Sequence, residues 1–472
     1  MLLRSLFVTV SALMLSACAV GPDYARPTPP AASSGPFLSA REGVTTTAPA
    51  PNDADPEWWR LYKDPVLDGL VADALAANTD VRVAVARIAR ARASLREVRG
   101  DRLPSTNLGA GATYGRVSEG QVPPGADRTG WQVDAGLTVG YEVDLFGRVS
   151  RGIEAARGDV AAAEADADAV RVTVAAETAR AYADAASAAE RLGVAERIVA
   201  LLDKSVALTA RRAEVGLTTK LDTARIAALR DQRAADIPAI AAERDGALFR
   251  LATLTGRSPA ELPPIAAERR TTLRLDQPIP VGDGAALLAR RPDVAAAERR
   301  LAASTARIGV ATSDLYPKIT LGGSVGQTSG GLGDLFGGGP LRWLLGPLIN
   351  WNFLNQEGAR ARIAGAEADT QAALATFDGT VLRALEETET ALSSYAHLLD
   401  RRTALQSARD QAETAVKITR AQQREGQIDG LVALDAERTF AEAEASLALA
   451  DARIADAQVD VFRALGGRWN RS

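Results

Sequence analysis

A chain of 472 residues with one cysteine, one histidine and two methionines has few groups with which to do chemistry. Cys18 has no second thiol for a disulfide, a redox pair or a zinc site. His397 stands between Ala396 and Leu398 with no second ligand at metal spacing, which predicts a helix-surface residue. No Gly-x-x-x-x-Gly-Lys-Ser/Thr run is present to cradle phosphates. Composition therefore argues against a metalloenzyme or a cysteine enzyme and leaves carboxylate acid–base work as the one catalytic option open. No catalytic residue, metal ligand or cofactor is assigned. A net charge of −4 with 24% charged residues offers no basic surface for nucleic acid.

One different reaction is open to Cys18. Arg4 gives a short positive start, Leu6 to Leu15 an apolar run too short to span a bilayer, and Leu15-Ser16-Ala17-Cys18 follows. That order resembles a bacterial lipobox, in which the Cys becomes the acylated first residue. The alternative is an ordinary small-residue cleavage site beside an incidental Cys; the sole Cys at the lipobox position favours acylation. Residues 1–17 are then a signal peptide. Ala19 after the Cys sends such lipoproteins to the outer membrane. Residues 18–57, rich in Pro, Ala, Thr and Ser, read as a lipidated tether.

The elements that follow are written twice. Asp80 to Gly109 aligns without a gap on Asp293 to Gly322, a shift of 213 positions; Asp80/Asp293, Arg87/Arg300, Asp101/Asp314 and Pro104/Pro317 are identical pairs. So long a period means duplication of a whole module. The expected segments are a first repeat at 58–256, a connector at 257–284, a second repeat at 285–466 and a tail at 467–472. Each repeat reads as a helix (Pro65 to Arg102; Ala285 to Leu315), two strands, a very long helix (Arg148 to Glu214; Glu357 to Glu425), a tight turn and one last helix. The first long helix, 67 residues, would reach roughly 100 Å. Val194, Leu201, Leu208 and Val215 recur every seventh residue, as do Leu385, Leu392 and Leu399, which predicts coiled packing. The turns Val215-Gly216-Leu217-Thr218 and Gly426-Gln427-Ile428-Asp429 place a glycine where each long helix stops. Just beyond the second, Leu431, Asp435 and Arg438 share one helix face.

The strands pose a question of medium. In "WQVDAGLTVGYEVDL", Trp131 to Leu145, the odd positions are apolar and the even ones polar or glycine. Four strands cannot close a barrel, because the smallest bacterial barrels have about eight strands and no sheet edge stays open in lipid. Either several protomers share one barrel or the strands cover a soluble core. Tyr114, Trp131, Tyr141, Trp343 and Trp351 supply aromatics for membrane-interface belts, which with the lipid anchor favours the shared barrel. Trp58-Trp59 reads as an anchor for the chain ahead of the first helix.

"EWWRLYKDPVLDGLVADALAANTDVRVAVARIARARA", "YEVDLFGR", "LLARRPDVAAAERRLAASTARIGVATSDLYPKITLGGSVG", "REGQIDGLVALDAER" and "RALGGRW" resemble the outer-membrane efflux channel family, in particular its lipoprotein branch serving resistance–nodulation–division pumps. The resemblance runs from Cys18 to Trp469. It implies an α+β membrane protein: a trimer with a twelve-strand outer-membrane barrel, four strands per protomer, continued by a periplasmic α-helical coiled-coil barrel. It implies a periplasmic adaptor and an inner-membrane pump as partners, with the hairpin turns as docking tips. It also implies that Leu431, Asp435 and Arg438 line a closed aperture, and that small molecules leave through the duct. The exit channel of type I protein secretion, and a lipid-anchored coiled coil without a pore, are the competing readings.

Overall fold

The computed structural model describes residues 19–28, 31–46, 57–118, 120, 124–125, 127–275, 277–329, 341–428 and 430–466. Cys18, Asp429 and the 467–472 tail lie outside them, as does the side chain of Leu431. In chain order the main elements are strand β1 (Thr45–Thr46), helices α1 (Pro65–Ala77) and α2 (Thr79–Gly100), strands β2 (Ser105–Arg116) and β3 (Thr129–Val143), and helices α3 (Arg148–Glu214), α4 (Lys220–Ala234) and α5 (Asp236–Leu254). Then come β4 (Ile279–Pro280), α6 (Gly284–Arg290), α7 (Pro292–Ser313), β5 (Lys318–Ser329), β6 (Leu341–Asn350), α8 (Glu357–Arg424) and α9 (Gly430–Ala464).

The long helices stand where the periodicity places them. The helices before the strands do not run unbroken. Asn78 leaves the helix at ψ 136°, and its side-chain oxygen accepts from the backbone N–H of Asp80 (2.8 Å) and of Val81 (3.4 Å), so it caps α2 while α1 ends. In the second repeat Arg291 stands at the matching place. Pro292 forces it to ψ 121°, away from the helical region. Duplication has thus kept one break with two different causes. The last helix of the first repeat is also two, α4 and α5, because Pro238 cannot donate to the carbonyl of Ala234 and crowds it. No proline lies in α9, which runs unbroken for 35 residues.

Two compact units are built from these elements. One holds Arg87–Glu164 and Ala296–Asp378 with the residues before Thr28. Its strands form one antiparallel sheet in the order β2-β3-β5-β6. At the foot of the sheet, Leu95 packs on Val149, Ile153 and Ala156. The strand read as Trp131 to Leu145 ends two residues earlier. Asp144 turns to accept from Val149 N (2.9 Å) and Ser150 N (2.8 Å), satisfying open N–H groups in the first turn of α3.

The other unit holds Thr28–Ala86, Ala165–Ala295 and Gly379–Ser472. Its core gathers Leu67, Val71, Tyr182, Leu251, Leu273, Leu392, Ile454 and Phe462, and β1 pairs in parallel with β4. Leu392 is buried, with Leu385 and Leu399 packed beside it, as the heptad predicts. On α3 the buried stripe is Val194, Ile198 and Leu202, while Leu208 is 47% exposed. The buried set on α3 therefore shares Val194 with the sevenfold series and departs from it beyond that residue.

Within that unit Asp184 on α3 and Asp456 on α9 meet. Burial, then the charge on Asp184, push the Asp456 carboxyl up to about 7, so it holds a proton and donates to Asp184. Arg180 and Asp460, which pair with each other, and Arg250 and Glu243 lie around them. The folded state binds this proton more tightly than the unfolded chain. The pair's contribution is therefore complete below about pH 4 and lost as pH rises through about 7. Asp456→Asn keeps a donor without a proton to lose. It should melt above wild type at pH 8 and approach it by pH 4; melting below wild type at both would show that the carboxyl itself is required.

Candidate functional site

Register makes the sheet two-faced. Paired residues of an antiparallel ladder project to one side, so a row across the sheet can be read from its pairs. Leu108, Leu137, Val325 and Trp343 form one such row, and Tyr114 with Trp131 begins another. On the opposite side the rows are Asn107, Thr138, Ser324 and Leu344, then Gly109, Gly136, Gly326 and Arg342. One face is largely apolar on all four strands; the other is polar or bare on β2, β3 and β5, while β6 adds Leu344 and Leu348 to it beside Arg342 and Asn350. The apolar face stays open in the chain: Leu108 is 78% exposed and Trp343 73%. Val133 is the exception, buried at 5%. Pro347, opposite Leu321, falls on an edge strand, where a missing N–H is tolerated.

The five aromatics assigned from sequence divide between the ends of this face. Tyr114 and Trp131 meet at 5.5 Å between ring centroids. They and Trp343 stand toward the strand ends that lead to 117–128 and 330–340. Tyr141 lies toward the helical end, and there Trp351 donates its indole N–H to Leu315 O at 3.0 Å. From Trp131 to Tyr141 the strand covers roughly 33 Å, which at a tilt of about 40° projects to about 25 Å, the height of an outer-membrane apolar band.

The residues after Cys18 are seated rather than free. Val20 N donates to Phe146 O at 3.2 Å. Gly21, at φ +94°, lies so close to α7 that a Cβ on it would stand 2.5 Å from Gly309 Cα. Gly147, at φ +80°, has Ala19 against it in the same way. Asp23 pairs with Arg151 at 2.7 Å, and the Tyr24 hydroxyl donates to Glu298, with burial and that carboxylate keeping it protonated. Residues 19–24 therefore lie beside the foot of the sheet.

Both hairpin turns stop their helix with one backbone device. Gly216 (φ 76°) donates to Ala213 O (3.1 Å) and Leu217 to Arg212 O (2.8 Å). Gly426 (φ 72°) and Gln427 donate likewise to Gln423 O (3.2 Å) and Gln422 O (2.9 Å). Only glycine adopts that φ without strain. Val215 and Leu217 are 69% and 70% exposed, and Ile428 is half-buried. Thr218 donates to Asp222 at 3.0 Å, and Thr219 with Asp222 closes a capping box for α4.

Asp435 and Arg438 are exposed on α9 and pair with each other at 2.9 Å. Sequence reasoning passed over Glu437 between them. It points the other way and is buried, accepting from Ser205 Oγ (2.9 Å) on α3 and Arg420 Nε (3.1 Å) on α8. Its position two residues from Asp435 on a helix, hence on the opposite side, was the available signal. Trp58 and Trp59 are buried, Trp58 stacked on Phe462 at 4.6 Å. His397 stands on the helix surface, 3.8 Å from Asp400. Among the described residues no cluster of His, Cys, Asp and Glu could hold a metal ion.

A sheet that is largely apolar and open on one face and mostly polar or bare on the other, in a chain with helices of 67 and 68 residues, is that of a membrane-channel subunit. The comparisons agree. The family model described as outer membrane efflux protein matches residues 70–257 and 285–467. Outer membrane protein OprJ of Pseudomonas aeruginosa is 32% identical over 97% of this chain and 95% of its own length. The toluene efflux pump outer membrane protein TtgF of Pseudomonas putida is 29% identical over 97% of the chain and 95% of its own length. The solved structure of the outer-membrane channel OprN superposes with a TM-score of 0.87 at 36% identity, covering 96% of this chain and all of that one. The chain belongs to the outer membrane efflux protein family. It is an exit duct for efflux in the outer membrane, in a family of channels rather than enzymes.

Proposed function

We propose that three copies of this chain close their sheets into one twelve-strand barrel, and that this trimer is the outer-membrane end of a tripartite pump for small molecules. One observation carries the reading: β2 and β6 are both edges among the described residues, while the face between the aromatic ends is apolar and open. In lipid such edges must be paired, and four strands are too few to close on themselves. The polar face then lines water and the apolar face meets lipid. Tyr114, Trp131, Tyr141, Trp343 and Trp351 are the interface belts.

The resemblance to pump-linked channels supports a periplasmic adaptor at Val215 to Thr218 and Gly426 to Ile428, and an inner-membrane resistance–nodulation–division pump that supplies the energy. The exposed apolar side chains Val215 and Leu217 suit such a contact. Three copies of Asp435 with Arg438, and Leu431, ring the periplasmic aperture. Cys18 carries the acyl anchor, and the seating of residues 19–24 delivers it to the foot of the sheet. The relative TtgF is named for toluene; the cargo class here is small organic compounds.

Purified protein added to planar bilayers should insert as trimers and conduct; inserted protein without conductance would remove the duct. In cells, Cys18→Ser should abolish labelling by radioactive palmitate, and labelling that persists would refute the anchor.

A further inference from the structure

The polar face of the sheet carries an arrangement that a simple water-lined wall does not require. Asp134 lies on β3 toward the strand ends that lead to 117–128 and 330–340. Its Oδ1 accepts from Thr328 Oγ1 at 2.7 Å and its Oδ2 from Gln132 Nε2 at 3.1 Å. Arg342, two strands away on β6, brings its Nη2 to 3.6 Å from Asp134 Oδ1. The side chain must cross β5 to do so. It crosses at Gly326, its own ladder partner, which in turn faces Gly136 on β3. A Cβ on Gly326 would stand 2.8 Å from the Ala135 carbonyl oxygen, so the floor under the arginine is bare backbone. A second bare row, Gly140, Gly322 and Gly346, lies farther toward the helices.

Glu142, the carboxylate near that helical end, differs. It is held by Arg148 at 2.6 Å and Lys318 at 2.9 Å and its side chain is 15% exposed, so its charge is covered. Asp134 and Arg342 keep 38% and 68% of their side chains open. The pair thus stands open to water beside the bare backbone of Gly136 and Gly326, where a charged solute can approach it.

We propose that Asp134 and Arg342 are the charge-selecting residues of the pore wall, balancing one another so that the exit passes cations and anions with little preference. This rests on the barrel reading with the polar face inward. Three copies make a ring of alternating charge, and rings of charged side chains set ion preference in pores. Removing either member leaves a ring of one sign.

The test is the reversal potential of reconstituted trimers across a potassium chloride gradient, at low salt where screening reaches about 30 Å. Arg342→Gln should raise the potassium-to-chloride permeability ratio roughly two-fold or more, and Asp134→Asn should lower it by a similar factor. The double variant should return to wild type, and Arg342→Lys, which keeps the charge, should stay there. Heat-stable trimers on a gel check that each variant is assembled. Conducting channels with unmoved reversal potentials, or single variants shifting the same way, overturn the proposal. If wild-type trimers insert and do not conduct, the barrel reading itself has failed and the proposal with it.

Discussion

Leu137→Arg should abolish stable insertion, while Thr138→Arg, one residue along, should leave it nearly intact. Leu137 lies in the row with Leu108, Val325 and Trp343 on the apolar face, between Trp131 and Tyr141 at the two ends. An arginine there meets hydrocarbon near mid-depth, at a cost of about 2–4 kcal/mol per copy in outer-membrane barrels. Three copies multiply that cost, and sheets that must pair with one another to remove their edges lose assembly as well as burial. Thr138 shares its row with Asn107 and Ser324, where a charge faces water. The measurement is the fraction of each variant recovered as heat-stable oligomer in the outer membrane. Equal recovery of the two variants would place both faces in the same medium and end the barrel assignment.

Replacing Asp435 and Arg438 together by alanine should raise single-channel conductance several-fold without reducing trimer yield. Both side chains are exposed, at 67% and 55%, and pair only within their own helix at 2.9 Å in the described structure. Three aspartates brought together about an axis repel unless each is offset by an arginine, its own or a neighbour's. Ion pairs at a wet entrance are worth about 1 kcal/mol or less each, so under the proposed aperture reading the ring would hold the mouth with little energy and a docked adaptor would open it with a modest push. Neither residue supports the fold. That support comes from Glu437 on the far side of α9, bonded to Ser205 and Arg420, which the double change does not touch. His397→Ala, on an exposed helix surface, should change nothing. A double variant that conducts like wild type would locate the aperture elsewhere and leave this face a solvated helix surface.

Much of this was legible residue by residue. The strand Trp131 to Leu145 shows its two faces because side chains alternate every second residue whatever the partners are. The stops at Gly216 and Gly426 are legible because a helix end there needs a backbone that only glycine adopts freely, and the long rods α3 and α8 because no proline interrupts them. Duplication was legible in Asp80/Asp293 and Pro104/Pro317. The break at Asn78 was not read: its cap is local, and its amide is in turn held by the carbonyl of Leu254, distant in sequence, at 3.1 Å. Nor was the buried stripe of α3, which follows the neighbours it packs on rather than its own sevenfold leucines.

The largest gap concerns what alternation leaves free. Period two says that Asp134 and Thr138 share a face and nothing about which residues of other strands lie beside them. Register supplies that. It is set by contacts between segments nearly two hundred positions apart, as in the pairing of Asp134 with Thr328, and a slip by one residue would turn every side chain to the other medium. The meeting of Asp134 with Arg342 across the bare backbone of Gly326, and of Asp184 with Asp456 in the helical core, depends on such long-range pairing. Local pattern governs which way a side chain points; only the folded chain decides what it meets, because that is fixed by the total burial and hydrogen bonding of segments that are strangers in sequence.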